Sequence, residues 1–432
     1  MTRVRSSNPP HRFTTAHFQS AYPFLAGAGD WAPGIYIGDD VCGGGGAFCY
    51  DPWELYAGGH LTNPNMLVVG QVGRGKSALV KSYAGRSLVL GRRVVALDRK
   101  GEMERLCQAA GTRPIRLERG GTVRLNPLDA RLSAAAGIAD ADIRRDQVDV
   151  LIAMAGAACR RALTSVEKTA LRVALDRAVG RAPAAQPTLR DVSDALLGPA
   201  RADAARLGMT VPELATGSRD VALELDRLVS GDLAGMFDGP TSDGVDLAGN
   251  PVVFDLSSVA ESDESLAVLM VCVAAWAQRL LQRGTDAQRR SLFVFEEAWS
   301  CLANVEVARW MRSLQKLSRQ YGVQVVMVLH RFSDLLAAGA ADSEVVAIAK
   351  GLLSDTETQV VHGMARAEVE ATRSLLSLTD AEAEVIAELP RGRALWRVRG
   401  RSFVVDLRLS RFEQWVCDTD SRMVSQPPGP TR

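Results

Sequence analysis

The stretch Gly70-Gln-Val-Gly-Arg-Gly-Lys-Ser77 decides the fold of this chain. The apolar run Met66-Leu-Val-Val69 leads into it, and Ala78-Leu-Val-Lys81 continues at helical spacing. A buried strand, a glycine-rich turn and a helix are the context that a phosphate-binding P-loop needs. Gly70, Gly73 and Gly75 let the turn expose backbone N–H groups to phosphate oxygens at the positive end of the helix. Lys76 is expected to reach the β- and γ-phosphates, and the Ser77 hydroxyl to hold Mg²⁺. With Arg74 and Ala78, these residues form the expected binding set for a nucleoside triphosphate.

Composition sets wide bounds around that motif. The chain has 432 residues, 47% hydrophobic and 23% charged, and a net charge of +1. Those values describe an ordinary globular protein of two or three domains, or one large α/β domain with an insertion. Near-neutral charge supplies no electrostatic argument for nucleic acid or for an acidic membrane surface. The seven cysteines are scattered, with no Cys-x-x-Cys pair, which speaks against a zinc or disulfide framework and for a reducing cytoplasm. The apolar stretch Leu266 to Ala277 falls short of the roughly twenty residues that span a bilayer, and reads as a buried helix. The expected location is cytoplasmic, with peripheral docking at the inner face of the cell membrane left open.

Strand-like runs recur at Met66–Val69, Arg93–Leu97, Pro251–Leu256, Leu292–Phe295 and Gln324–Leu329. They are continuous apolar runs, not alternating ones, as expected of a parallel sheet buried on both faces. The fold class expected is therefore α/β with a mostly parallel sheet. Between about 130 and 245 the strand signal gives way to Ala-, Leu- and Arg-rich segments, with helix starts at Thr164-Ser-Val-Glu167 and Thr188-Leu-Arg-Asp191. The organisation expected is a lead-in over 1–60, a nucleotide-binding core over 61–130 and 246–415, an all-helical insertion over 131–245, and a tail over 416–432. Gly43 to Gly46 reads as a hairpin or loop, because no helix follows it. Ala394–Val398 and Ser402–Leu409 around Gly400 read as a second hairpin.

A P-loop needs a second, acidic strand, and Ser291-Leu-Phe-Val-Phe-Glu-Glu297 supplies one. Glu296 is expected to take Mg²⁺ and Glu297 to act as general base toward the attacking water. The first acid is Glu where Asp is usual. Arg93-Val-Val-Ala-Leu-Asp98 is another strand closing in acids, Asp98 and then Glu102, which reads either as part of the ligand crevice or as a plain strand-to-helix turn. Gln324-Val-Val-Met-Val-Leu-His330 ends where a γ-phosphate sensor would sit, and His330 fills that position or is an ordinary polar residue. Arg319 or Arg331 is placed to be an arginine finger, against surface ion pairing as the alternative. Seven arginines from Arg391 to Arg411 form a basic cluster, read as a solvated face or as a phosphate-contacting patch.

The order of these motifs resembles the motor domain of type IV secretion and conjugative-transfer ATPases (VirB/TraC-like), in the FtsK–HerA superfamily of P-loop NTPases. Asn65 to Ser77, Leu97 to Glu102, Leu125-Asn-Pro-Leu-Asp129, Phe237-Asp-Gly-Pro-Thr-Ser242, Val253 to Ser257, Phe295 to Trp299 and Ser318 to Gly322 carry the resemblance, with Glu413 and Asp418-Thr-Asp420 closing it. It implies a RecA-like P-loop core and a homo-hexamer at the cytoplasmic face of a cell-envelope machine. It implies membrane-embedded secretion or conjugation components as partners, and a DNA or protein substrate. Lys76, Ser77, Glu296 and Glu297 would carry hydrolysis of ATP with Mg²⁺, with Arg319 as a trans-acting finger. The sequence departs from the family at Glu296, at His330 in place of the usual Gln, and in having no counterpart to the large amino-terminal domain. Two other functions are compatible: a DNA translocase of the coupling type, and a nucleotide-gated assembly scaffold with low turnover.

Overall fold

A computed structural model describes residues 33–42, 45–135, 137–181, 186–243, 245–259, 268–273, 275–276, 290–296, 312, 322–332 and 344–418. Eleven strands form one sheet. In chain order they are β1 (Ile35–Asp40), β2 (Gly46–Tyr50), β3 (Met66–Val69), β4 (Arg93–Asp98), β5 (Ile115–Arg116) and β6 (Val252–Asp255). They continue as β7 (Ser291–Phe295), β8 (Val323–Leu329), β9 (Thr358–His362), β10 (Arg393–Val398) and β11 (Arg401–Leu407). The spatial order is β2-β1-β11-β10-β9-β3-β8-β7-β4-β6-β5. From β9 to β5 every neighbouring pair is parallel. From β9 to β2 every pair is antiparallel.

The apolar runs become strands because both faces of the parallel block are covered. Every residue of β3, β6, β7 and β8 is buried, which suits continuous rather than alternating hydrophobicity. Alternate side chains point to opposite sides. Leu67, Val69, Phe293 and Phe295 join a core with the helices of residues 140–227, whereas Met66, Val68, Leu292 and Val294 join a second core with Leu79, Val80 and Tyr83 of the helix Lys76–Val89. The P-loop helix and the helical segment thus lie on opposite faces of the sheet.

Most of the described residues between 131 and 227 are helical, with capping boxes at the starts of Leu189–Leu197 and Val211–Gly217. Thr164 caps the helix Ser165–Arg181 through Glu167. Both hairpins form, at β1–β2 and at β10–β11. Two features differ from the expected organisation. The lead-in is built into the sheet, since β1 pairs with β11, and the boundary at 415/416 falls inside the helix Arg411–Cys417, where Val416 is buried. The first arises from a strand pairing and the second from packing of Arg411–Cys417 on the helices Lys76–Val89 and Glu104–Ala109, contacts between distant segments that local pattern does not encode.

Candidate functional site

The P-loop leaves β3 at the carboxyl edge of the parallel block. The helix Lys76–Val89 begins on Gly75, at φ 107°, with no side-chain cap and no acidic residue in its first turn. Its first N–H groups therefore have no side-chain acceptor, and the positive end of the helix dipole is open to an anion. Ser77 lies in that first turn, half-buried. Lys76 is buried and turned back on its own loop, donating to the carbonyls of Gly70 and of Gln71, the latter at 3.0 Å. Reaching a phosphate requires the ammonium to exchange those carbonyls for phosphate oxygens.

The loop is held from below by the C-terminal third of the chain. Gln71 N donates to the Gly363 carbonyl at 3.2 Å, and Gly392 N donates to the Arg74 carbonyl at 3.1 Å. Gly70 has no room for a side chain, because a Cβ there would stand 2.5 Å from His362 Cβ. His362 is the residue that sequence reasoning missed. It ends β9, which pairs with β3, and the signal for it is a polar residue followed by glycine at the end of the short run Thr358-Gln-Val-Val-His362.

The strand carrying the acids, β7, lies one strand away from β3, with β8 between them. β7 runs into Glu296, which is buried, and its carboxyl is pushed up to about 8. Burial is the main cause, and the negative charges of Asp98 and Glu102 add to it, while Lys81 and Lys100 act in the opposite sense. Lys81, on the P-loop helix, is fully buried with its Nζ 3.5 Å from a Glu102 oxygen. His330, past the end of β8, has Nε2 3.0 Å from Lys100 Nζ. Asp98 closes a turn, its carboxylate accepting from Lys100 N at 3.1 Å and from Met103 N at 2.7 Å, and it also lies close enough to Glu296 to oppose that residue's ionisation.

The chain thus gathers Lys81, Asp98, Lys100, Glu102, Glu296 and His330 at one edge of the sheet. A buried carboxyl whose ionisation is opposed by neighbouring acids suits a divalent cation, which would take the place of the proton. Among the described residues no group of three or more His, Cys, Asp or Glu could hold a metal. A cation bound by Glu296 and Ser77 would therefore need phosphate oxygens or water to complete its shell. Glu297 and Arg319 lie outside the described residues. Arg331 follows His330 and is exposed. Several arginines of the C-terminal cluster are held within the chain: Arg397 by Glu382 at 3.1 Å, Arg408 by Asp39 at 2.6 Å, and Arg393 by Asp406 at 3.5 Å.

The sheet order, the loop and its helix define a RecA-like P-loop fold. Solved structures share it. VirB4 of Thermoanaerobacter pseudethanolicus superposes with a TM-score of 0.69 over 89% of this chain and 98% of that one, at 22% identity. The plasmid coupling protein TrwB in complex with ADP and Mg²⁺ gives 0.55 over 81% of this chain and 86% of that one, at 18% identity. TrwB bound to a non-hydrolysable ATP analogue gives 0.51 over the same shares, at 20% identity. No protein-family model and no curated relative matches the chain. No helix among the described residues is long and apolar enough to cross a membrane.

Proposed function

We propose that this chain binds ATP with Mg²⁺ and hydrolyses it as the motor of a type IV secretion or conjugative-transfer machine. The observation that carries the proposal is the uncapped P-loop helix together with a buried acid at the end of β7, two strands along the same sheet, on a fold shared with VirB4 over nearly the full length of both chains. The smaller overlap with TrwB favours this reading over a coupling-type DNA translocase.

In the proposed mechanism the backbone N–H groups from Gly73 to Ala78 cradle the phosphates, and Lys76 moves from the Gly70 and Gln71 carbonyls to the β- and γ-oxygens. Bound Mg²⁺ would neutralise charge developing on the phosphates, held by Ser77 and Glu296. Glu297 orients a water for in-line attack on the γ-phosphate and accepts its proton. His330, at the end of the strand between β3 and β7, donates to the γ-phosphate, and Arg319 or Arg331 reaches the site of a neighbouring subunit in a homo-hexamer. Membrane-embedded secretion components are the proposed anchors at the cytoplasmic face.

Steady-state ATPase activity of the purified protein, with Lys76→Ala as control, tests the proposal. Wild-type turnover no higher than that of the variant would eliminate both motor readings and leave a nucleotide-gated scaffold. Strong stimulation of turnover by DNA would favour the translocase.

A further inference from the structure

His362 is fully buried, and neither ring nitrogen has a hydrogen-bond partner. Its place is specific. The backbone and Cβ of His362 abut Gly70, the first glycine of the P-loop, and a Cβ on Gly75, the last, would meet His362 Cε1 at 3.9 Å. The imidazole therefore runs beneath the loop from one end to the other, with the Cε1 edge, flanked by both nitrogens, toward the turn. On either side of it the loop is pinned by the Gln71–Gly363 and Arg74–Gly392 hydrogen bonds. The backbone of Arg74 and of Arg393 comes close enough to the ring to favour a proton on it, but neither contact has the geometry of an ordinary hydrogen bond. Burial, with the nearby Lys76 charge, lowers its pKa to about 3, so the imidazole is neutral and offers one N–H donor and one bare nitrogen. A buried polar side chain left without partners is uncommon and calls for an explanation.

The explanation follows from what Lys76 does. Its ammonium now satisfies the carbonyls of Gly70 and Gln71. Both lose that donor if the ammonium moves to a phosphate, and Gly70 is buried away from water. An N–H donor placed under the same turn can then take over a loop carbonyl. We propose that His362 is a positioning residue for nucleotide binding, whose ring N–H engages the P-loop backbone when Lys76 transfers to the phosphates. This inference rests on the nucleotide-binding reading above. It makes His362 a determinant of affinity, acting through the loop and not on the γ-phosphate itself. Loss of the ring donor therefore raises KM and Kd for ATP and leaves kcat nearly unchanged.

Two measurements test it. Binding of a non-hydrolysable ATP analogue with Mg²⁺ is compared in wild type, His362→Leu, His362→Asn and His362→Gln. Leucine should weaken binding about threefold to tenfold, the worth of one net hydrogen bond, and one of the two amides should restore it. Second, the chain has five histidines, so ¹⁵N-histidine labelling, with His362 assigned through the His362→Asn variant, reports its ring nitrogens directly. Adding the analogue should shift one of them to a hydrogen-bonded value. This second measurement uses wild-type protein and stays decisive where the leucine variant fails to fold. Unchanged ring signals in analogue-saturated wild type, or a folded leucine variant that binds as tightly as wild type, would overturn the role of His362 alone. Wild type that binds no analogue would overturn the nucleotide-binding reading together with it.

Discussion

The phosphate-facing edge and the region around Asn126 and Glu167 satisfy their buried polar groups to different degrees. At Asn126, just before the helical segment, and at Glu167 within it, they are paired, whereas Ser193 Oγ has no hydrogen-bond partner. Asn126, fully buried, accepts from Leu128 N at 3.0 Å through its side-chain oxygen, and its Nδ2 donates to the Pro187 carbonyl at 2.9 Å. Its own N–H donates to Thr241 Oγ1 at 3.1 Å, and Thr241 donates to Asp129 at 2.9 Å. Glu167 accepts from Arg161 at 2.6 Å and from Thr164 N at 2.7 Å. At the phosphate edge, by contrast, neither His362 nitrogen has a hydrogen-bond partner of ordinary geometry, Lys81 Nζ meets a Glu102 oxygen at 3.5 Å without a hydrogen bond, and burial and the charges of Asp98 and Glu102 oppose ionisation of Glu296. Unsatisfied polar groups cost stability; Ser193 Oγ and Gln324 Nε2 carry that cost elsewhere in the molecule, whereas His362 carries it beneath the P-loop. The segment Leu125–Asp129 is tied through Asn126 and Asp129 to Pro187 and Thr241.

The largest expected effect falls at the phosphate edge. Glu297→Gln should retain ATP binding and slow turnover by about 10²–10⁴-fold, the usual loss for a general base; normal turnover in single-turnover assays would remove Glu297 from the mechanism. Next comes the paired region. Asn126→Ala leaves two buried partners, the Leu128 N–H and the Pro187 carbonyl, unmatched and should destabilise the protein by about 2–4 kcal/mol in urea unfolding, with affinity for the ATP analogue unchanged in the folded fraction. Loss of affinity in step with stability would mean that the two regions are coupled.

The pH dependence of stability should have opposite signs in the two regions. Arg161 and the Thr164 amide hold the Glu167 carboxyl down at about 2, below its unfolded value of about 4.5. Its contribution is present above about pH 4.5 and lost as pH falls toward 2, and Glu167→Gln should remove about 1–3 kcal/mol of stability at neutral pH. Glu296 is raised to about 8, so the folded state holds an extra proton between about pH 4.5 and 8, and stability falls as pH rises through that window. Glu296→Gln should flatten that fall in chelator-treated, nucleotide-free protein. The smallest effect is expected at Thr188→Ala, which removes one capping box and should cost about 1 kcal/mol. A loss several times larger would show that the cap supports more than its own helix.

Much of this was readable from local spacing. The P-loop, the capping threonines three residues before an acid, the acidic end of β7 and the hairpin around Gly400 each depend on residues close in the chain. The β9 strand was not read, because Thr358-Gln-Val-Val-His362 is short and carries a buried polar residue. With it His362 stayed hidden, as did the burial of Lys81 and the pairing of β1 with β11.

By itself the sequence determined that a strand, a glycine-rich turn and a helix bind phosphate, since that chemistry lies within twelve consecutive residues. Only the tertiary structure decided what lies beneath the turn and beside the acid. His362 and Gly392 reach the P-loop from some three hundred residues away along the chain, and Glu296 meets Asp98, Glu102 and Lys81 because β4 and β7 are neighbours in the sheet. Burial and charge act through space, and distance along the chain does not encode them.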